Sequence, residues 1–415
     1  MYYLEILDKK KKDNMSITSL PDDVLFLIFK YLSLKDLCRL CSVCRRFQHL
    51  TSKDSVWIQN IYRLSTVKNL LPFISRSHSA KDLSRIAYNW IHGKYKEGFI
   101  IKVNRRFRLL PWLQKTDEGI WFSCRNKICF ITSNSSGYYY EEKQRCLLGL
   151  PDDATKFTVK NNVVASGCID GSVCVWDISR GKYFCHRNIH PDEIQCIDFT
   201  DDIIISGTRD GTIKSFPFTK SNYSKLATNS HNVGERVWCL SISPCKSYFA
   251  AGLAGWLSDP PILLWDLASS ECLGRMNFNH KQGAGVFDLK FESPHELLTC
   301  GYDTFLRLWD LRTLKCVVQW EEPFDSALYC LETDKNNSIA VGTAQYGMVR
   351  MWDKRKTEPV QAYYSYKSNS PVYSLATDHG HLYLALDSGL NILNFTAHHM
   401  PSKLNPSTFM GYQAC

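Results

Sequence analysis

The chain has 415 residues, is 44% hydrophobic and carries a formal net charge of +9. That is enough apolar material for a large core and for more than one domain. No apolar run approaches the roughly 18 residues of a membrane-spanning helix, so no membrane contact is expected. The opening MYYLEILDKKKK lacks the apolar core of a secretory signal, and the 17 cysteines are scattered singly. Both features point to reduced thiols and an intracellular location, cytoplasmic and/or nuclear. Basic charge falls in short runs, Lys9 to Lys12 and RRFR at 105–108, with no nucleic-acid motif beside them. They read as solvated surface, and nucleic acid is not an expected partner.

A basic tail spans residues 1–14. The stretch 15–63 contains SLPDDVLFLIFKYLSLKDLCRLCSVCRRFQHLTSKDSVWIQNIY, dense in apolar residues at helical spacing. Leu20-Pro21 leads into a helix holding Val24, Leu25, Ile28, Phe29 and Leu32. Asp22 and Asp23 sit at its positive N-terminal end. A second helix is expected to carry Leu37, Leu40, Val43, Cys44 and Phe47, and a third Trp57 and Ile61. So short a segment cannot bury VLFLIF on every side, and the apolar surface left over calls for a partner. Cys38, Cys41 and Cys44 have a cluster-like spacing. On one helix, however, each three-residue step turns about 300°, which carries Cys44 well away from Cys38. The cysteines are therefore assigned to packing.

Residues 64–97 include AKDLSRIAYNWIHGKYKE, with Leu83, Ile86, Ala87, Trp90 and Ile91 on one helical stripe. This reads as a helical spacer.

From residue 98 to 395 the sequence repeats. CIDGSVCVWD, TRDGTIKSFP, PPILLWD, GYDTFLRLWD and AQYGMVRMWD align on Trp176, Phe216, Trp265, Trp309 and Trp352. RNKICFI and DSGLNILN place Ile131 and Asn394 in the same register. Seven units at intervals of about 40–50 residues have the period of four-stranded propeller blades. Within a unit, alternating strands such as IQCIDF and IIISG lead to a tight turn, Asp170-Gly171 or Asp210-Gly211. The Asp-Gly pair signals a hairpin in which both turn residues take positive φ. GFIIKV at 98–103 precedes the first unit and is available to close the ring against the last. Residues 396–415 form a C-terminal tail.

These motifs resemble two known families. The Leu-Pro start, aliphatic first helix, V-C-R-R-F core and later Trp resemble the F-box, and the repeats resemble the WD-repeat family. The resemblance implies a mainly β fold, a seven-bladed WD-repeat propeller preceded by an all-α F-box and the helical spacer. By that resemblance Leu20, Pro21, Leu25, Ile28, Phe29 and Leu32 would dock a Skp-type adaptor and, through it, a cullin–RING ligase. It also implies that each turn Asp accepts a hydrogen bond from a His ahead of the first strand. That would place His190, Ser206 and Asp210 in one network, and His280, Thr299, Asp303 and Trp309 in another. The unit ending at Trp352, with Gln345-Tyr346 at its turn, departs from the pattern.

Reading VWCL, VFDL, LYCL and VYSL in blade register aims Trp238, Phe287, Tyr329 and Tyr373 at one face of the ring, where Arg209 and Tyr302 also emerge. Aromatics and Arg are the residue types enriched at interface hot spots, so these six are the expected contacts to an unidentified protein substrate. The bland reading of the rings is a filled central channel. Trp256, in the insertion GLAGWLSDPP, is a further candidate. No P-loop, G-x-S-x-G or H-E-x-x-H is present, and His398-His399 has no companion at a ligand spacing. No catalytic residue, metal or cofactor is expected. The function implied is a non-catalytic substrate receptor of an SCF-type cullin–RING E3 ubiquitin ligase. The alternative is a scaffold whose F-box-like segment packs on its own propeller.

Overall fold

The computed structural model describes residues 16–64, 79–102, 111–133, 139–219, 222–223, 229–276, 281–365 and 369–397. The basic tail, residues 65–78 of the spacer, RRFR at 105–108, His280 and His398-His399 lie outside the described residues. The chain divides into two compact units, with the boundary between Trp90 and Ile91. No helix among the described residues is long and apolar enough to cross a membrane.

The first unit is helical. A single 3-10 turn (Ile17–Ser19) precedes α1 (Asp22–Phe29), α2 (Leu34–Leu40), α3 (Arg45–Thr51), α4 (Asp54–Leu64) and α5 (Ala80–Ile91). Ser33 caps α2 by accepting from the Asp36 amide at 3.2 Å and donating to the Asp36 carboxylate at 2.7 Å. Leu25 and Phe29 of α1 and Phe47 and Leu50 of α3 are all buried, and Phe29 and Phe47 pack edge to face at 5.3 Å. Trp57 is 1% exposed and donates its ring N–H to the Thr51 carbonyl at 2.7 Å. The helix expected as a spacer packs on this unit. Ser84 donates to the Trp57 carbonyl at 3.1 Å, and the Asp54 carboxylate accepts from the Ala80 amide at 2.9 Å, capping α5.

One expectation here fails. The helix expected through Leu37, Val43, Cys44 and Phe47 is two helices, α2 and α3, separated by a turn. Cys44 is extended (φ −155°, ψ 161°) and caps α3 by accepting from the Phe47 amide at 3.4 Å. The sulfur satisfies an amide that an unbroken helix would have bonded internally. The rotation argument for the three cysteines therefore does not apply, although among the described residues no group of three His, Cys, Asp or Glu is placed to hold a metal ion.

The second unit is a seven-bladed propeller. Six blades run in chain order with first strands at Leu113–Lys115, Ala154–Lys160, Ile194–Phe199, Val237–Ile242, Val286–Ser293 and Leu328–Thr333. The seventh holds Ser374–Thr377, His381–Leu386 and Gly389–Asn394, and its outermost strand is Lys96–Lys102 from the start of the unit. That strand runs antiparallel to Gly389–Asn394, from Lys96 opposite Asn394 to Lys102 opposite Gly389, so the ring closes as the sequence predicts. The core is a series of blade interfaces. Trp121 and Phe130 of blade 1 pack on Phe157 and Trp176 of blade 2, and so on round to Tyr383 and Leu390 of blade 7 against Ile120 and Phe122 of blade 1. Period-two alternation produces this, because both faces of each blade are covered by a neighbour.

Two local expectations are corrected. At the Asp-Gly turns only glycine enters the left-handed region, Gly171 at φ 75° and Gly211 at φ 87°. Thr304 does the same at φ 67° in blade 5. These three turns carry one positive φ each, not two. At Gly171 a Cβ would also lie 2.2 Å from the His190 carbonyl oxygen, so the next blade's loop leaves room for hydrogen alone. Second, Asp210 accepts no hydrogen bond from His190. His190 bonds Ser206 at 2.7 Å, while Asp210 is held by Thr208 and by the Thr212 amide and hydroxyl at 3.0 and 3.1 Å. Two threonines flanking the turn satisfy the carboxylate locally, and the histidine is left to the strand serine. In blade 5 the ring N–H of Trp309 donates to Thr299 at 2.8 Å, and Asp303 pairs with Arg307 at 2.6 Å.

Candidate functional site

Each unit presents one surface of interest. In the helical unit Arg46 organises the Leu-Pro turn. Its guanidinium donates to the Thr18 carbonyl at 2.5 Å, the Leu20 carbonyl at 2.7 Å and the Asp22 carboxylate at 2.5 and 3.0 Å. Three anchors from one fork fix the entry to α1. Of the six residues expected to dock an adaptor, Pro21 is exposed and Leu20, Ile28 and Leu32 are half-buried. Leu25 and Phe29 are corrected. At 0% and 1% exposure they belong to the unit's own core and offer no surface to a partner. Among the described residues of this unit the exposed large apolar side chains are instead Leu27 (58%), Tyr31 (77%), Val43 (61%) and Ile17 (49%). Val43 is on this surface because the chain breaks between α2 and α3, a break that helical periodicity hides.

In the propeller, one mouth of the central channel is built from a repeated backbone device. Pairing of the first and second strands shifts register between Ile194 and Cys196, Val237 and Cys239, Val286 and Asp288, and Leu328 and Cys330. Each shift is a bulge, and the residue inside it is Gln195, Trp238, Phe287 or Tyr329. A bulge re-aims one side chain out of the alternation. These four, with Trp112, Thr155, Lys156 and Tyr373 from the other three blades, line a cavity of about 300 Å³ together with Glu193 and Pro371. The rings contact one another in sequence. Trp238 meets Phe287 at 5.2 Å and Phe287 meets Tyr329 at 5.1 Å, both edge to face, and Tyr329 meets Tyr373 at 6.2 Å. Tyr373 also donates to Asp387 at 3.0 Å. Burial, with Tyr302 nearby, raises the Tyr329 phenol above its ordinary pKa.

The structure thus brings Trp238, Phe287, Tyr329 and Tyr373 to one mouth. Tyr302 stands at its rim, 61% exposed and 6.2 Å edge-on from Phe287. Arg209 does not line the cavity and sits at the rim beside Glu193, 3.9 Å away. The cations at this mouth are engaged. Lys156 lies over the Trp112 ring at 3.9 Å and 3.7 Å from Asp288, and Arg236 lies over Trp238 at 4.4 Å. Sequence reasoning missed Trp112, Lys156, Glu193 and Gln195. The signal for Gln195 was present, since IQCI matches VWCL in blade register. Trp256 is 57% exposed on its own loop, held through its amide by Glu235 at 2.7 Å.

The opposite mouth, with a cavity of about 580 Å³, is lined by charged side chains, several of which pair with one another. Lys160 meets Asp198 at 2.5 Å and Lys290 meets Glu332. Asp198 and Asp288, 5% and 4% exposed, also accept from the Ile242 and Leu331 amides of the next blades at 2.8 and 3.0 Å. These carboxylates tie blade to blade, and their burial is tolerable because every one is bonded.

An F-box-like family matches residues 17–62, and the WD domain, G-beta repeat family matches residues 153–177 and 270–310. The first match falls on the helical unit with its Arg-anchored Leu-Pro turn, and the second falls within the closed seven-bladed ring. F-box/WD repeat-containing protein 4 of Homo sapiens, also called dactylin, is 35% identical over 384 residues, covering 91% of this chain and 92% of that one. The protein of the same name from Mus musculus matches with the same identity and coverage. The chain belongs to the F-box/WD-repeat family. Among solved structures the WD40 beta propeller domain of Doa1 superposes with a TM-score of 0.56 over 72% of this chain and 96% of that one, at 13% identity, a likeness of fold alone.

Proposed function

We propose that the chain is the substrate-recognition subunit of an SCF-type cullin–RING E3 ubiquitin ligase. The F-box binds a Skp-type adaptor and the aromatic mouth of the propeller binds a protein target. The observation that carries the reading is the pairing, on one family-typical chain, of two surfaces each suited to a partner. One is the apolar set Pro21, Leu27, Tyr31 and Val43 on the helical unit. The other is the Trp238–Phe287–Tyr329–Tyr373 mouth. In this reading the chain works inside the cell, needs no cofactor and supplies no reacting group. It raises the effective concentration of the target at ubiquitin activated elsewhere.

Burying one exposed aliphatic or aromatic side chain is worth about 1.5–3 kcal/mol before association costs. A Leu27→Ser/Tyr31→Ser double variant is therefore expected to recover at least about tenfold less adaptor than wild type when purified adaptor is captured on the immobilised full chain. Equal recovery by both would overturn the ligase reading in favour of the scaffold.

A further inference from the structure

We propose that the propeller carries two reversible disulfide-forming dithiols, Cys129 with Cys146 in blade 1 and Cys174 with Cys185 in blade 2, closed by glutathione disulfide. In both blades one cysteine lies on the third strand and the other directly opposite it on the fourth, as register partners. In both the sulfurs stand 2.9 Å apart. The two pairs occupy the same blade position. Cys174 lies two residues before Trp176, and Cys129 two residues before Ile131, the residue in Trp register. At that position blades 4, 5 and 6 pair Leu263 with Arg275, Arg307 with Gln319 and Arg350 with Ala362. The fold itself therefore does not call for sulfur there.

Each pair joins a buried thiol to one nearer solvent. Cys129 is 2% and Cys174 0% exposed, whereas Cys146 is exposed and Cys185 half-buried. That is the arrangement thiol–disulfide exchange uses. The outer thiolate attacks one sulfur of glutathione disulfide, forming a mixed disulfide and releasing one glutathione thiolate. The inner cysteine, losing its proton to water, attacks the outer cysteine's sulfur and expels the second glutathione. Two cysteine thiols and one glutathione disulfide become one intrachain disulfide and two glutathione thiols, so two electrons and two protons pass to glutathione. Opposed residues on antiparallel strands hold their Cβ atoms about 4.5–5.5 Å apart, against about 3.5–4.5 Å in a disulfide. Closure therefore asks for at most a small approach of the strands, and the exchange runs back when reduced glutathione predominates.

Burial, together with the hydrogen bond to Cys174, pushes the Cys185 thiol up to about 11. A hydrogen bond with Cys168 and then burial raise Cys174 further. Closure of the blade 2 pair is therefore slow at neutral pH and speeds up as pH rises, about tenfold per unit while thiolate is scarce. Cys245 supplies an internal reporter. Burial tends to raise it, but hydrogen bonds from Ser243 and Ser247 win and bring its pKa down to about 7. Its thiol bonds the Ser243 hydroxyl at 3.2 Å.

The test uses the full chain, equilibrated in glutathione buffers of increasing oxidised fraction, then alkylated and peptide-mapped. The expected result is two dithiothreitol-sensitive crosslinks, 129–146 and 174–185, under conditions where Cys245 carries a single glutathione. Cys146→Ser and Cys185→Ser should each abolish the corresponding crosslink. The proposal is overturned if, with Cys245 glutathionylated, the four cysteines remain alkylable or carry glutathione singly. It is also overturned if Cys185→Ser leaves Cys174 crosslinked to another cysteine.

Discussion

His190 illustrates how a single side chain keeps the structural task its motif implies but with only one of the implied partners, Ser206. It is 2% exposed, its Nε2 meets the Ser206 hydroxyl at 2.7 Å, and the Phe216 ring packs edge-on at 6.2 Å. Burial first, then Lys214, pushes its pKa down to about 3, with Asp210 pulling weakly the other way. The sign follows from comparison with the unfolded chain, where a histidine titrates near 6.5. Between about 6.5 and 3 the unfolded state holds a proton that the folded state refuses, so stability is complete above the upper limit and drains away as pH falls. The rate approaches about 1.4 kcal/mol per pH unit. His190→Gln should be less stable than wild type at pH 8, by about 1–2 kcal/mol for the lost hydrogen bond and ring packing. It should also lose less stability than wild type between pH 7 and pH 5. Urea unfolding across that range reads both numbers, and parallel pH slopes for the two proteins would show that His190 is not a buried neutral imidazole.

Among the elements, the strand Lys96–Lys102 does the most for its length, because it converts an open row of blades into a ring. Its attachment goes beyond the ladder. Glu97 accepts from Ser365 at 2.6 Å, Asn391 donates to the same serine at 2.9 Å, and Tyr95 donates to the Tyr364 carbonyl at 2.9 Å. The helical unit ends just before it, at Trp90. A fragment beginning at residue 91 is therefore expected to fold as a propeller. A fragment beginning at residue 103 leaves Gly389–Asn394 as an unpaired edge and exposes Leu390 and Tyr383, so it should aggregate or be digested rapidly in limited proteolysis. Equal protease resistance of the two fragments would mean that closure is not what holds the last blade. This strand was legible in advance, as were the hairpins and Trp-terminated strands. Alternation and turn residues report directly on a strand covered on both faces. Three features were not legible. The break between α2 and α3 depends on the backbone of Cys44, a residue with no strong conformational signature. The bulges that gather Trp238, Phe287 and Tyr329 are register shifts, which leave the apolar pattern of each strand intact. The partners of Asp210 were misassigned because Thr208 and Thr212 lie closer to it in sequence than the histidine does, and short-range bonds win where both are available.

At the scale of the whole molecule, the two candidate surfaces rest on separately packed cores, and this makes them separable by mutation. The surface proposed for the adaptor depends on α1 and the turn that Arg46 holds, while the mouth depends on bulges in blades 4 to 6. No residue is shared, so losses at one surface should leave the other unchanged. Truncating two central aromatics of a binding mouth typically costs several kcal/mol of affinity. A Trp238→Ala/Tyr329→Ala variant should therefore lose target contacts by at least about a hundredfold while capturing adaptor as wild type does. Both rings are half-buried at the channel mouth and not in a blade interface, so the variant should unfold at nearly the wild-type urea midpoint. The measurement is proximity labelling in cells expressing wild type, this variant or Leu27→Ser/Tyr31→Ser, with adaptor recovery scored in the same samples. A receptor predicts that neighbours other than the ligase machinery disappear with the mouth variant and persist with the F-box variant, and that adaptor recovery does the reverse. If the mouth variant loses adaptor as well, the two surfaces are coupled and the helical unit is serving the propeller. If neither variant changes the labelled set, the aromatic rings are channel filling, and recognition lies elsewhere on the ring.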